Sequence, residues 1–243
     1  MSKLGKTNAE FDLIEEGDKI LVGLSGGKDS LTMIHAMKEQ LRRAPFKFEF
    51  IAVTVGYGMG ENFKHLEEHC KKYDIPHIVH DTKIYELAEE KIRKNSSFCS
   101  FFSRMRRGTL YGIAEANDCN KLALGHHMDD AAESFFMNFI YNGQMRSLAP
   151  KYRAENGLII IRPLIQMRER QLTAFVKDNE IEAIGDEACP AMRFDIKMPH
   201  ARANMKEMLA KMEKDFPSLF TSMNAAFKNI SVDSFFDKER FNI

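Results

Sequence analysis

The sequence predicts an α/β fold: a parallel sheet with helices on both faces, continued by a C-terminal helical extension. Two observations carry this prediction. Short β-rich apolar runs alternate with stretches of helical period, and several runs are continuously apolar, as strands covered on both faces are. After Cys189 the strand pattern stops, and two amphipathic stretches rich in Met and Phe take over. The expected division is an α/β domain over residues 1–192 and a helical extension over 193–243, too short to bury much surface alone.

In chain order, the first strand falls at 19–24 (KILVGL) and runs straight into a glycine pair. The helix at 28–43 follows, with Leu31, Ile34, Lys38 and Leu41 on one stripe and Met33 and Met37 widening it. Further strands are expected at 48–55 (FEFIAVTV), 76–80 (PHIVH), 121–124 (KLAL) and 158–162 (LIIIR), the last stopped by Pro163. Helical patterns fill 61–73, 83–94, 103–116, 129–141 and 169–179, and the extension reads as helices at 199–214 and 216–230. In open parallel sheets, ligands bind beyond the carboxyl ends of the strands. The strongest motifs fall at those ends.

Composition narrows the class. Apolar residues make up 44% and charged residues 29% of the 243 positions, as in a soluble protein. No run reaches the roughly 18 apolar residues of a membrane span, and the N-terminus lacks a secretory apolar stretch, so a cytoplasmic address without membrane contact is expected. The formal net charge of zero does not advertise nucleic acid, but the stretch from Lys91 to Arg107 holds six basic residues and no acid. Such a stretch either grips phosphates or forms a solvated helix face. The four cysteines, Cys70, Cys99, Cys119 and Cys189, are too scattered to suggest a disulfide framework.

The loop Ser25-Gly26-Gly27-Lys28-Asp29-Ser30 joins the first strand to the first long helix. Paired glycines let backbone N–H groups approach a phosphate, and the helix N-terminus adds free N–H groups and partial positive charge. Ser25 and Ser30 add hydroxyls and Lys28 a cation. The plain alternative is a capped Gly-Gly turn. The spacing is not that of the Walker loop, which needs four residues between its first Gly and Gly-Lys-Ser/Thr. A second cluster, Gly125-His126-His127-Met128-Asp129-Asp130, follows the KLAL strand. Acids in a helix's first turn complement its dipole by only about 0.3–1 kcal/mol each. Beside a phosphate cradle, a carboxylate such as that of Asp130 can instead hold magnesium, which takes hard oxygen ligands and accompanies polyphosphates. His126 and His127 receive no metal role, because neighbours along a strand point to opposite faces.

SGGKDS in this setting resembles the pyrophosphatase-loop (PP-loop) ATPases, which cleave ATP between the α and β phosphates, and the fold implied is theirs. The blocks FDLIEEGDKILVGLSGGKDS, FCSFFSRMRRGTLYGIAEANDCNKLALGHHMDDAAES, IIIRPLIQMRE and EACPAM, in order over residues 11–192, resemble the bacterial tRNA 2-thiocytidine synthetases. The tRNA lysidine synthetases share the ATP loop and are more distant. The resemblance implies an ATP-dependent tRNA-modifying enzyme that adenylates the C2 oxygen of an anticodon-loop cytidine, after which sulfur displaces AMP. It implies that Ser25, Gly26, Gly27, Lys28, Asp29 and Ser30 hold ATP, with Gly125 and Asp130 beside it and Val53 and Thr54 flanking adenine. Lys28, Asp130, Cys99 and Cys189 are the candidate catalytic residues, and tRNA and a sulfur-donor protein the candidate partners. A homodimer is left open.

One departure matters. The family's iron–sulfur cluster uses a Cys-x-x-Cys pair and a late Cys; here Cys99 and Cys189 remain, Phe102 replaces the second, and Met192 stands where a further late Cys often follows. Two thiolates do not complete the usual shell, so an iron–sulfur cluster is doubtful. Three readings stay open: a cluster with an outside ligand; Cys99 and Cys189 passing sulfur without metal, Cys99 activated by Arg104 and Arg106; or a nucleophile other than sulfur, as in a lysidine-type ligase. A non-catalytic ATP-binding protein is the remaining alternative. Arg104, Arg106 and Arg107, interleaved with Phe101, Phe102 and Tyr111, either grip and stack RNA or divide into surface and core. Arg162 and Arg168 are placed to reach phosphates. Cys70 and Cys119 match nothing and are expected to be structural.

Overall fold

The computed structural model describes residues 2–91, 98–184, 201–231 and 234. The chain opens with α1 (Ser2–Phe11), then β1 (Lys19–Gly23), α2 (Lys28–Arg43), β2 (Glu49–Gly56), α3 (Lys64–Lys72), β3 (His77–Asp81) and α4 (Ile84–Lys91). It continues through α5 (Phe98–Ala116), β4 (Lys121–Ala123), α6 (Met128–Asn142), β5 (Lys151–Arg153), β6 (Ile159–Ile161) and α7 (Glu169–Asp178). Beyond these lie α8 (Ala201–Asp215) and α9 (Leu219–Ala226).

The strands form one sheet in the order β3-β2-β1-β4-β6-β5. All neighbours are parallel except β5, which runs antiparallel along the edge of β6. The sequence expectation missed β5 and α1. The helix expected at 61–73 begins only at Lys64, because the Glu61 carboxylate accepts the backbone N–H groups of Tyr57 and Met59 at 2.7 and 2.8 Å and closes a loop instead. The helix expected at 216–230 is confined to Leu219–Ala226, after a turn through Phe216, Pro217 and Ser218.

Alternation along β1 sends Ile20 and Val22 to one face and Leu21 to the other. The first face packs Leu31, Ile34 and Met37 of α2 with Leu66 of α3 and Leu172 of α7. The second packs Ile84 of α4 with Phe102, Leu110 and Ile113 of α5. A third cluster joins Met128 and Ala132 of α6 to Leu209 of α8 and to Phe220 and Met223 of α9, so the C-terminal helices are seated on α6.

β1 is the switch point: its chain crosses to β2 on one side, while β4 pairs with it on the other. The helices that leave these two central strands, α2 and α6, therefore begin side by side at the carboxyl edge.

Candidate functional site

Leu24 leaves β1 with its N–H on the Val53 carbonyl at 2.8 Å, and the loop turns through Gly26 at φ +85°. That conformation suits glycine, and a Cβ there would lie 2.5 Å from Ile184 Cδ1. Ser30 ties the loop: its hydroxyl accepts the Ser25 N–H at 3.1 Å and donates to the Gly27 carbonyl at 2.9 Å. No side chain caps α2 at Gly27, so its first N–H groups face the loop as an anion-receptive end.

Gly125 brings the second motif in. A Cβ at Gly125 would already touch the backbone of Asp29 and Ser30 at 3.4 Å. His126 and His127 follow β4 rather than lying in it, since the strand ends at Ala123. His127 caps α6, accepting the Asp130 N–H at Nδ1 (3.4 Å), while the Asp130 carboxylate accepts the His127 N–H at 3.0 Å. Its Nε2 lies 3.8 Å from Asp29 and 3.4 Å from Asp130. Asp29 Oδ1 is buried without a hydrogen bond. Burial pushes the Asp29 carboxyl upward, against the pull of nearby His127 and Lys28.

Lys28 Nζ lies 3.0 Å from Glu169 and 3.5 Å from Asp29. Burial disfavours its charge, but the Glu169 and Asp29 carboxylates outweigh that and raise its pKa. Lys206 of α8 holds the same Glu169 carboxylate at 2.8 Å. Burial opposes ionisation of Glu169, yet hydrogen bonds from Lys206 and Lys28 bring it down to about 2. Arg202, also on α8, pairs with Asp130 and reaches Glu133 at 2.7 Å. Sequence reading missed Glu169, Arg202 and Lys206. The signal available was the i,i+4 spacing of Arg202 and Lys206, which puts two cations on one helix face.

Some expected roles change. Arg162 is buried rather than directed at phosphates: it donates to the Ala149 carbonyl at 2.5 Å and to His126 Nδ1 at 3.3 Å, and its guanidinium sits 5.1 Å from the Tyr152 ring centroid. Burial, then Arg162, depress His126 to about 4. Arg168 likewise clamps Asp129 at 3.0 Å and Glu213 at 2.6 Å, with its guanidinium 3.3 Å from the Phe220 ring centroid. Val53 and Thr54 keep the placement their expected role needs only in part: they lie within β2, both buried, with the Thr54 hydroxyl 2.9 Å from His77 Nε2.

Helix α5 leads into β4 and so runs back against the strand direction, which puts its first turns toward the carboxyl edge. Arg104 and Arg107 are exposed there and Arg106 half-buried. Phe102 is core, meeting Phe101 and Tyr57 edge-on at 6.0 and 5.8 Å between ring centroids. The side chain of Cys99 and the whole of Cys189 and Met192 lie outside the described residues. A packed phenyl ring donates nothing to iron, so the donor set does not fit a three-thiolate cluster. Among the described residues no group of three or more His, Cys, Asp or Glu side chains is arranged to hold a metal ion. Cys70 and Cys119 are buried, and burial raises both thiols, Cys70 to about 11, which leaves them poor nucleophiles.

A family model described as a PP-loop domain matches residues 2–198. The chain is 38% identical to the tRNA-cytidine(32) 2-sulfurtransferase of Citrifermentans bemidjiense over 240 residues, 98% of this chain and 92% of that one. It is 39% identical to the protein of the same name from Syntrophotalea carbinolica over 228 residues, 93% of this chain and 86% of that one. Among solved structures, the U34-tRNA thiolase NcsA from Methanococcus maripaludis, described with its 4Fe-4S cluster, superposes with a TM-score of 0.75 at 24% identity, covering 95% of this chain and 80% of that one. An NH3-dependent NAD synthetase from Campylobacter jejuni follows with a TM-score of 0.53 at 13% identity, covering 91% and 84%. Those two likenesses are of fold. The loop at the switch point, the matched domain and the full-length relatives agree: the chain belongs to the PP-loop family, on the branch of the tRNA-cytidine(32) 2-sulfurtransferases.

Proposed function

We propose that this chain is an ATP-dependent tRNA thiolase that replaces the C2 oxygen of a cytidine, position 32 by the name of its relatives, with sulfur. The observation that carries the reading is the uncapped start of α2 behind the Gly26 turn, lying against the first turn of α6 at the switch point. Ser25, Gly26, Gly27, Lys28, Asp29 and Ser30 hold the phosphates, Gly125 lets the two helix starts close together, and Val53 and Thr54 border the adenine side. The base's C2 oxygen attacks the α-phosphorus, the bond to the bridging oxygen breaks, and pyrophosphate leaves against Lys28. An adenylate is a far better leaving group than the original oxygen.

Asp130 and the Asp29 Oδ1 that accepts no hydrogen bond are hard oxygen donors that suit magnesium. When bound, that ion supplies charge neutralisation at the phosphates. Cys99 and Cys189 are the candidate sulfur carriers. A persulfide on Cys99 attacks C2 and AMP departs; the Cys189 thiolate then attacks the Cys99 sulfur, releases the thiolated base and leaves a disulfide for a thiol reductant. Arg104, Arg106 and Arg107 hold the tRNA backbone, and a sulfur-donor protein loads the persulfide. The α/β domain over 1–192 carries the chemistry, and of the extension over 193–243 helices α8 and α9 pack against it. A cytoplasmic address completes the reading, and the homodimer stays open; among the described residues no helix is long and apolar enough to cross a membrane.

The test is mass spectrometry of tRNA nucleosides from a deletion strain, which should lack 2-thiocytidine; an unchanged profile overturns the reading. Phe102 in the core favours one second reading, a PP-loop ligase whose nucleophile is an amine. Release of AMP from ATP and tRNA that rises with an amine, and not with a sulfur donor, would select it.

A further inference from the structure

The acids around the loop outnumber its own cation. Asp29, Asp130, Glu133 and Glu169 face a region to which the loop itself contributes only Lys28, and like charges at such range repel a polyanion. Helix α8 supplies the balance through Arg202 and Lys206. The arrangement around Glu169 is the informative part. Its Oε1 lies 3.0 Å from Lys28 Nζ and its Oε2 2.8 Å from Lys206 Nζ. One carboxylate thus bridges two ammonium groups, in the manner that a phosphate's oxygens would. A cavity of about 230 Å³ opens on the Lys206 side of the bridge, lined by Asp129, Glu133, Arg168, Glu169, Lys206 and Glu213 among others, while Lys28 and the loop lie outside its lining.

We propose that Lys206 is a phosphate-binding residue, and that a terminal phosphate of ATP takes the seat Glu169 now holds between Lys28 and Lys206. The inference rests on the reading that the loop binds ATP. Lys206 and Lys28 then grip the pyrophosphate half of the nucleotide from opposite sides, and Glu169 is the placeholder that keeps the two cations converged before ATP arrives. The adenosine half lies beyond their reach. Helix α8 does not depend on Lys206 for its seat, because Met205 and Leu209 are buried and Arg202 holds Glu133 at 2.7 Å.

The experiment is calorimetric titration of the full chain with Mg-ATP, inorganic pyrophosphate and AMP. Lys206→Met is expected to weaken Mg-ATP and pyrophosphate about 10-fold while leaving AMP unchanged, and Lys206→Arg to recover most of the loss. Glu169→Gln is expected to tighten pyrophosphate, since the competing carboxylate charge is gone. The double variant Lys206→Met, Glu169→Gln separates binding from mere charge balance and is expected to stay weak. Affinity restored to the unmodified level in the double variant overturns the proposal, as does an equal loss for AMP in Lys206→Met. If the unmodified chain binds neither Mg-ATP nor AMP, the assignment of the loop fails first and takes the proposal with it.

Discussion

Two ionic networks stand at opposite ends of the same sheet, and they are built differently. At the amino edge, Lys121 of β4 is only 1% exposed, and its ammonium meets Asp18 at 2.6 Å, Glu15 at 2.7 Å and the Leu13 carbonyl at 3.0 Å. Asn120 closes the set by donating to Asp18 at 2.7 Å. Every buried group there has a partner. At the carboxyl edge, Asp29 Oδ1 accepts no hydrogen bond and pairs only loosely with Lys28 at 3.5 Å, Lys28 is divided between two acids, and Lys206 and Arg202 are mostly exposed. A matched buried network holds a fold together; an unevenly matched one at a ligand edge leaves charge ready for exchange.

The sharpest way to break this contrast is Lys121→Met. It takes the cation from buried Asp18, which keeps hydrogen bonds from Asn120 and the Glu15 N–H. Unfolding free energy is expected to fall by about 3 kcal/mol, most of it from the Asp18 charge left without its cation and little from exposed Glu15. Urea denaturation measures it, and a loss under about 1 kcal/mol would erase the distinction. Glu169→Gln comes next, at about 1–2 kcal/mol after allowing for the exposure of Lys206. The sign follows from a carboxyl lowered from 4.5 to about 2. Its stabilisation is present above the unfolded value and lost as pH falls through about 2, so variant and parent should converge in strong acid. Asp29→Asn should run the other way, gaining about 1 kcal/mol or less at neutral pH while AMP release drops at least about 10-fold. Here the folded value is raised, so the ionised group costs stability as pH climbs through it, and the gain should vanish below the unfolded value of 3.8. Thermal melts across pH check both signs.

The contrast also explains what could be read without coordinates. Helix α2 was legible at both ends, because a glycine pair precedes it and its apolar stripe stops where Arg42 and Arg43 begin the exposed tail. The central strands declared themselves by continuous apolar runs. Strand β5 could not, since Lys151, Tyr152 and Arg153 form an antiparallel edge with no apolar run. The loop and the turn at Gly125 were visible as local strings. The ion pairs that complete their surroundings were not: Glu169 reaches Lys28, and Lys206 reaches Glu169, from far along the chain, and only folding brings them there. Arg162 and Arg168 were misjudged for the same reason, since a carbonyl, a ring and two acids from other segments claim them first.

The tight approach of Gly125 to Asp29 and Ser30 has a mechanical meaning. With no side chain as a cushion, the beginnings of α2 and α6 stand backbone to backbone. A methyl group at position 125 would already meet Asp29 and Ser30, and anything larger would wedge the two helices apart. The same wedge would press on Met128 and Ala132 and so on their packing against Leu209, Phe220 and Met223.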